Sequence, residues 1–514
     1  MTPLRFSSRL ATWGRRPDIR VTAALLALAA GVRIGFWCAT ELTLEDALIS
    51  ARYAHNIAQG NGFVYNLGEW VLGTTTPLWT LILAALEIIG FRDPISAGKA
   101  LGILLDCASL TMLLSLFPRA SHTSRLLFGI LFAASPTIVP ITVSAMETPL
   151  LIFSMALTLA GMERRHSYFG VGLALTLLTR IDGAIFVLVM GGASMLRHRR
   201  WAIRQLAIAA LLCVPWFTFA FVTYGSVVPQ SVVAKSGVYD LGVGRSAASM
   251  LGHFLPLGED DPLRYIVKSV LTLLGVVAFG VVALRAQRFL PLGLFFVLYI
   301  TAFSLSGGLI FSWYLVPPVI MLYVTMALAA SATLSLLPPS AGRWRMLIGG
   351  IVLTLGVAHH GVLLPPRFEK YAELQSFEDA LRRPIGLWLR ERTAPRATVF
   401  LEPIGYIGYY AGIERRIVDE IGLVAPEITD IRGEGPGWYT RALRRVAPDY
   451  LVQYRAALEE NASEGTGDPL FKNREEELVF RSQYSPVAEF DVTDRFPGVS
   501  TREKAYVILR RTGQ

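Results

Sequence analysis

The stretch Leu44–Thr80, LEDALISARYAHNIAQGNGFVYNLGEWVLGTTTPLWT, sets groups that move protons beside groups that hold anions. Glu45 and Asp46 stand just past the first apolar run, and Arg52, Tyr53, His55 and Asn56 follow closely. Ionisable side chains at membrane depth are costly, and by default they mark a site. A carboxylate within hydrogen-bond reach can take the proton from an attacking hydroxyl. Arginine or lysine can hold a leaving phosphate, arginine with a two-pronged donor. These residue types at this spacing point to group transfer at a membrane surface.

The elements that must position them are read from composition. Of 514 residues, 53% are hydrophobic and only 17% charged, which a soluble chain of this length would not show. Runs such as VTAALLALAAGVRIGFW, LLFGILFAASPTIVPITV and PLGLFFVLYITAFSL have bilayer length. The chain therefore reads as a polytopic α-helical membrane protein. Residues 366–514 hold 22 Lys and Arg against 24 Asp and Glu, so the net charge of +9 comes from the apolar part, where basic residues fix orientation. No basic stripe is interleaved with aromatics, so nucleic acid is not an expected partner; the bilayer is. Cys38, Cys107 and Cys213 form neither a disulfide framework nor a metal spacing. The N-terminal RFSSRLATWGRRPDIR before an apolar run, with no cleavage motif after it, reads as a retained signal anchor.

Basic clusters before residue 21, at Arg119–Arg125, Glu163–His166, Arg197–Arg204, Arg285–Arg288 and Arg343–Arg345 are expected on the cytoplasmic side. They give about eleven spans, near 21–40, 97–117, 126–143, 149–162, 167–178, 183–196, 204–222, 266–284, 289–305, 311–335 and 345–362. The N-terminus falls inside and the C-terminus outside, in an inner (plasma) membrane. Residues 77–91, short and carrying Glu87, read as a helix on the outer membrane surface within a long first external loop, 41–96. The spans 167–178 and 183–196 are short and meet at Thr179-Arg180-Ile181-Asp182-Gly183, a turn expected below the surface, lining a cavity. Two domains follow: 1–365 in the membrane, and 366–514 as a soluble α/β or α+β domain. In the latter, ATVFLEP, RRIVDEIG, the end of YTRALRRVAPDYLVQY and KAYVILRR read as strands.

This topology, built from basic clusters, places Glu45, Asp46, Arg52, Glu147, Arg180, Asp182 and Lys235 at one membrane face. Each has a plainer reading. Glu45 and Asp46 could cap the following helix, and Glu147 could cap the next span. Arg180 and Asp182 could be a structural ion pair, and Lys235 a solvated loop lysine. Asp106 reads as a structural hydrogen-bonding group, and Trp313 and Tyr314 as interfacial anchors. Trp388, Trp438 and Tyr439 could be stacking residues or fill a core. There is no Walker loop, Rossmann fingerprint, H-E-x-x-H or G-x-S-x-G, so a soluble nucleotide donor has no visible site. A lipid-linked donor needs none.

The pattern Glu45-Asp46-Ala47-Leu48-Ile49-Ser50-Ala51-Arg52-Tyr53, then Gly60 to Glu69, then Thr75-Thr76-Pro77-Leu78-Trp79 resembles the GT-C superfamily of membrane glycosyltransferases, which use polyprenyl-phosphate sugars. Within it, the chain is most similar to the group containing the mycobacterial terminal arabinofuranosyltransferase. Weaker echoes are Met146-Glu147-Thr148, Thr179 to Gly183, Pro229 to Lys235 and Trp313 to Pro317. The group commonly has Asp-Asp where this chain has Glu45-Asp46, which leaves the identity of the base open. The resemblance implies an inverting transfer of a sugar, such as a pentofuranose like arabinose, to a hydroxyl of a cell-envelope glycan or lipid. It implies Glu45 or Asp46 as base, with Arg180, Lys235 and Arg52 on the donor phosphate. Glu147, Asp182, Tyr53 and His55 would shape the cavity or bind substrate. No cofactor is required; some branches of the superfamily use a divalent metal. The alternative is a transporter or flippase for a lipid-linked glycan, although matching halves, common in transporters, are absent.

Overall fold

The computed structural model describes residues 16–117, 122–336, 340, 342–459 and 470–512. Most of the signal-anchor segment, and Arg119, lie outside the described residues. The chain opens with α1 (Arg16–Thr40), then the short helices α2 (Glu45–Ala58) and α3 (Pro77–Ile88). It continues with α4 (Pro94–Leu114), α5 (His122–Ala133), α6 (Ile138–Thr142), α7 (Thr148–Arg164), α8 (Tyr168–Thr179) and α9 (Ala184–Tyr224). After α10 (Gln230–Val238) and α11 (Val243–Gly252) come α12 (Pro262–Arg285), α13 (Leu290–Leu305), α14 (Val316–Leu336) and α15 (Gly342–Leu363). Helices α16 (Pro365–Ala380) and α17 (Arg382–Arg392) lead into a sheet domain.

Among the described residues, seven helical segments are long and apolar enough to cross a membrane. The difference from eleven has local causes. The expected span 126–143 is broken into α5 and α6 around Ser135 and Pro136. Helices α7 and α8, of 17 and 12 residues, are short. The expected spans 183–196 and 204–222 join at His198, whose backbone leaves the helical region (φ −146°, ψ 53°). Helix α3 is 12 residues long, about 18 Å, against a hydrocarbon core of about 30 Å. It buries Trp79 and Leu83 and exposes Leu81 and Ile88.

A buried ion pair ties the helices together near the start. Arg33 Nε donates to Asp106 Oδ2 at 2.8 Å, Thr142 Oγ1 donates to the same oxygen at 2.5 Å, and Arg33 also reaches the carbonyl of Ala133. Asp106 is thus a structural acceptor linking α1, α4 and α6. At the ends of α7 and α12 and at the break in α9, the expected basic clusters converge. Arg288 pairs with Glu163 at 2.5 Å, and Arg197 donates to the carbonyls of Arg288 and Gln287.

The sheet has five strands: β1 (Thr398–Leu401), β2 (Arg416–Asp419), β3 (Tyr450–Tyr454), β4 (Tyr484–Asp491) and β5 (Ala505–Arg511), in the order β2-β1-β3-β5-β4. β1 runs parallel to β2 and β3, while β5 is antiparallel to β3 and β4. The parallel strands are short apolar runs, as two covered faces require. β4 is an addition to the four expected strands. It is a mostly exposed edge strand with a bulge at Pro486, and it lacks an apolar pattern. The segment 41–96 does not stand apart from this domain. Ile49, Tyr53, Phe63, Tyr65 and Leu72 share one hydrophobic core with Ile385, Leu389, Val399, Ile404 and Ile407.

Candidate active site

Glu45 and Asp46 open α2, just after the extended Leu44 (φ −90°, ψ 150°). Successive helical residues point about 100° apart, so the two acids face different partners. Glu45 turns toward the sheet domain. Its carboxylate accepts the backbone N–H groups of Gly405 and Tyr406, which follow the end of β1. A Cβ at position 405 would collide with Glu45, so the close approach requires glycine. Burial raises the Glu45 carboxyl above its ordinary value, and Arg382 and the two N–H groups offset that only in part.

Asp46 turns into a cleft of about 160 Å³. Its Oδ2 accepts from Lys235 Nζ at 3.0 Å, and its side chain stays 29% exposed. Lys235 comes from α10. Burial pulls its ammonium down, but Asp46 outweighs that and the net shift is upward. Across the cleft, Arg180 Nη1 donates to Glu147 at 2.5 Å, and its Nε donates to Asp182 Oδ1 at 2.8 Å. Tyr299 holds the other Asp182 oxygen at 3.0 Å. Glu147 precedes α7 but makes no capping hydrogen bond, so its role is the arginine contact. Gly183 fits closely against Thr176, which lets the chain turn sharply after Arg180.

The walls are completed by residues the sequence singled out less clearly. Arg180 lies over the Tyr314 ring at 5.0 Å, and Lys235 over the Phe311 ring at 5.2 Å. Trp313 and Tyr314 therefore line the cleft, where interfacial anchoring was expected. Ser50, Thr74 and Thr76 form a hydroxyl cluster 3.1–3.4 Å apart at its edge. Thr76 belongs to the Thr75–Trp79 motif, so a signal for it exists in the sequence. Leu423, beyond β2, closes the cleft from the sheet domain, and only the tertiary fold could show that.

Besides Glu45, three expected site residues sit elsewhere. Arg52 is 1% exposed, with its guanidinium committed to the carbonyls of Tyr65, Gly408, Gly412 and Arg415. It is a strut between the first loop and the sheet domain and cannot reach a phosphate in the cleft. Tyr53 is buried, and its hydroxyl donates to the Val71 carbonyl at 2.7 Å. His55 Nδ1 contacts Glu87 on α3 at 2.6 Å, away from the cleft. Trp438 and Tyr439 are buried in the sheet domain, and Trp388 packs edge-on against Tyr450, so none is placed as an open stacking platform.

A search of solved structures finds the same architecture. ArnT from Cupriavidus metallidurans bound to undecaprenyl phosphate superposes with a TM-score of 0.57 at 14% identity, over 95% of this chain and 97% of that one. Its apo form gives 0.59 at 13% identity, with the same coverage. The archaeal oligosaccharyltransferase AglB from Archaeoglobus fulgidus, in complex with an inhibitory peptide and a dolichol-phosphate, gives 0.55 at 13% identity, over 86% and 70%. The fold is that of the GT-C membrane glycosyltransferases. A family model described as a domain of unknown function (DUF8728) matches residues 370–509. No curated protein matches the chain.

Among the described residues, no three His, Cys, Asp or Glu side chains cluster as a metal site. The carboxylates lining the cleft are each engaged by a cationic side chain, Asp46 by Lys235 and Glu147 by Arg180, and Asp182 pairs with Arg180 beside it.

Proposed function

We propose that this chain is a polyprenyl-phosphate-dependent membrane glycosyltransferase with Asp46 as its base. One observation carries the assignment: of the acidic pair, only Asp46 opens into the polar cleft, while Glu45 is held by backbone N–H groups. Asp46 takes the proton of an acceptor hydroxyl. The freed oxygen attacks the anomeric carbon of the lipid-linked sugar, and the bond from that carbon to the phosphate oxygen breaks. Polyprenyl phosphate leaves with the electron pair. A single displacement inverts the anomeric centre.

The basic residues suit the leaving group. An ammonium has three donors, and Asp46 occupies one on Lys235. Arg180 has five, with Glu147 and Asp182 taking three. Both can donate to a developing phosphate while staying positioned. Glu147 and Asp182 then act as positioning residues for Arg180. The carriers named in the neighbouring structures, undecaprenyl phosphate and dolichol-phosphate, support a polyprenyl carrier.

Finer features rest on the first-loop resemblance and the basic clusters. The sugar is a pentofuranose such as arabinose, and the acceptor is a hydroxyl of a cell-envelope glycan or lipid. The cleft faces outward from the inner membrane, the N-terminus is cytoplasmic, and residues 366–514 form an extracytoplasmic domain. The test uses the protein in lipid vesicles with a panel of polyprenyl-phosphate sugars. Release of polyprenyl phosphate by the native protein but not by Asp46→Asn supports the reading. Movement of an intact sugar lipid between leaflets without release returns the case to a transporter.

A further inference from the structure

A cavity of about 660 Å³ is separate from the catalytic cleft. The two share no lining residue, although Tyr314 lines the cleft and the next residue, Leu315, lines the cavity. Its lower walls are apolar, with Leu271, Val276 and Phe279 from α12, Phe296 from α13, and Val319 and Met326 from α14. From Arg264 to Phe279 the lining runs about 22 Å along α12, at about 1.5 Å per residue. Val276 is 65% exposed, so the groove opens sideways where a bilayer would lie.

Its mouth is cationic. Arg264 and Lys268, one turn apart at the start of α12, face Arg367 and Lys370, at the start of α16. The one lining carboxylate is Glu259, which pairs with Lys268 at 2.8 Å. Among the described residues, Arg264, Arg367 and Lys370 have no ion-pair partner. In the cleft the lining charges cancel, with Arg180 and Lys235 against Asp46 and Glu147. His253, also at the mouth, is pushed down to about 4 by burial and then by Arg367 and Lys268. An apolar groove the length of an acyl chain, under unpaired positive charges, is complementary to an anionic amphiphile.

We infer that this groove binds an anionic glycerophospholipid of the surrounding bilayer. Its phosphate sits among Arg264, Arg367 and Lys370, and an acyl chain lies along α12 and α14. The occupant is distinct from the polyprenyl phosphate that reacts at the cleft, and the inference stands whether or not the transfer reading does. A bilayer lipid is favoured over a free anion because the charged mouth continues directly into the apolar groove.

Native mass spectrometry of the full chain, released from membranes of neutral lipid doped with phosphatidylglycerol, provides the test. The native protein is expected to retain phosphatidylglycerol. The Arg367→Gln/Lys370→Gln variant should bind it about thirtyfold more weakly, and Val276→Trp, which fills the groove without changing charge, should also weaken it. Lys235→Gln should retain it as the native protein does. Added inorganic phosphate should not displace it, and added polyprenyl phosphate should leave it in place. Equal retention by the charge and groove variants would overturn the proposal. Displacement by inorganic phosphate would reassign the mouth to a free anion, and displacement by polyprenyl phosphate would reassign the groove to the donor lipid.

Discussion

Glu45 and Asp46 are neighbours in sequence with different tasks in space, and that separates their variants. Asp46→Asn keeps the size and removes the base. Transfer is expected to fall about 10²–10⁴-fold, with an unchanged thermal midpoint for the purified protein. Glu45→Gln instead weakens the acceptor for the Gly405 and Tyr406 N–H groups. It should lower stability by about 1–2 kcal/mol and affect the rate less than Asp46→Asn. A larger rate loss in Glu45→Gln than in Asp46→Asn would move the base to Glu45. The acidic pair is legible from residue types alone. Which acid opens to the cleft is not, because it depends on where β1 ends.

At the scale of elements, the joint between α2 and the turn helix Tyr406–Tyr410 does the positioning. Arg52 threads into that turn and holds the Gly408 and Gly412 carbonyls. A Cβ at Gly408 would collide with the Tyr65 hydroxyl. Arg52→Lys, which cannot reproduce the planar fork, is expected to cost about 2–4 kcal/mol, read as a lower thermal midpoint. The ends of β1 and β2 add a pH dependence. Glu402 is raised to about 7 by burial and then by Asp419, and Glu420 to about 8 by burial and then by Glu402. A carboxyl whose folded value lies above its unfolded one stabilises at low pH, and that stability is lost as pH rises through the folded value. The thermal midpoint should therefore fall between about pH 5 and about pH 8. In Glu402→Gln/Glu420→Gln the fall should flatten; an unchanged slope would exclude these two groups as its source.

For the whole molecule, the sheet domain is part of the site rather than an appendage. It shares a hydrophobic core with the first loop, and Leu423 closes the cleft. Removing residues 366–514 is therefore expected to abolish transfer and to expose the loop 41–96 to protease in intact vesicles. Retained transfer with unchanged acceptor choice would show that the domain is dispensable. The proposed sidedness has its own check: a tag at the C-terminus should be cleaved by protease added outside intact cells, and a tag at the N-terminus should be protected.

By itself, the sequence determined the fold class and the strands β1, β2, β3 and β5, and it singled out the first-loop acids as candidates. Long apolar runs, ionisable groups near a bilayer and short apolar strands are local signals, set by the cost of burying charge and exposing apolar surface. Arg180, Asp182, Glu147 and Lys235 were also legible as candidates, because charges beside apolar spans stand out. Tertiary structure alone decided which of these groups meet. It sent Arg52, Tyr53 and His55 to structural contacts, brought Trp313 and Tyr314 to the cleft, and turned Glu45 away from it. It also revealed the edge strand β4 and the cationic groove on α12, α14 and α16. The physical reason is the same in each case. A side chain's type is carried by its own residue, whereas its partners, and so its task, lie up to hundreds of residues away and are chosen by packing.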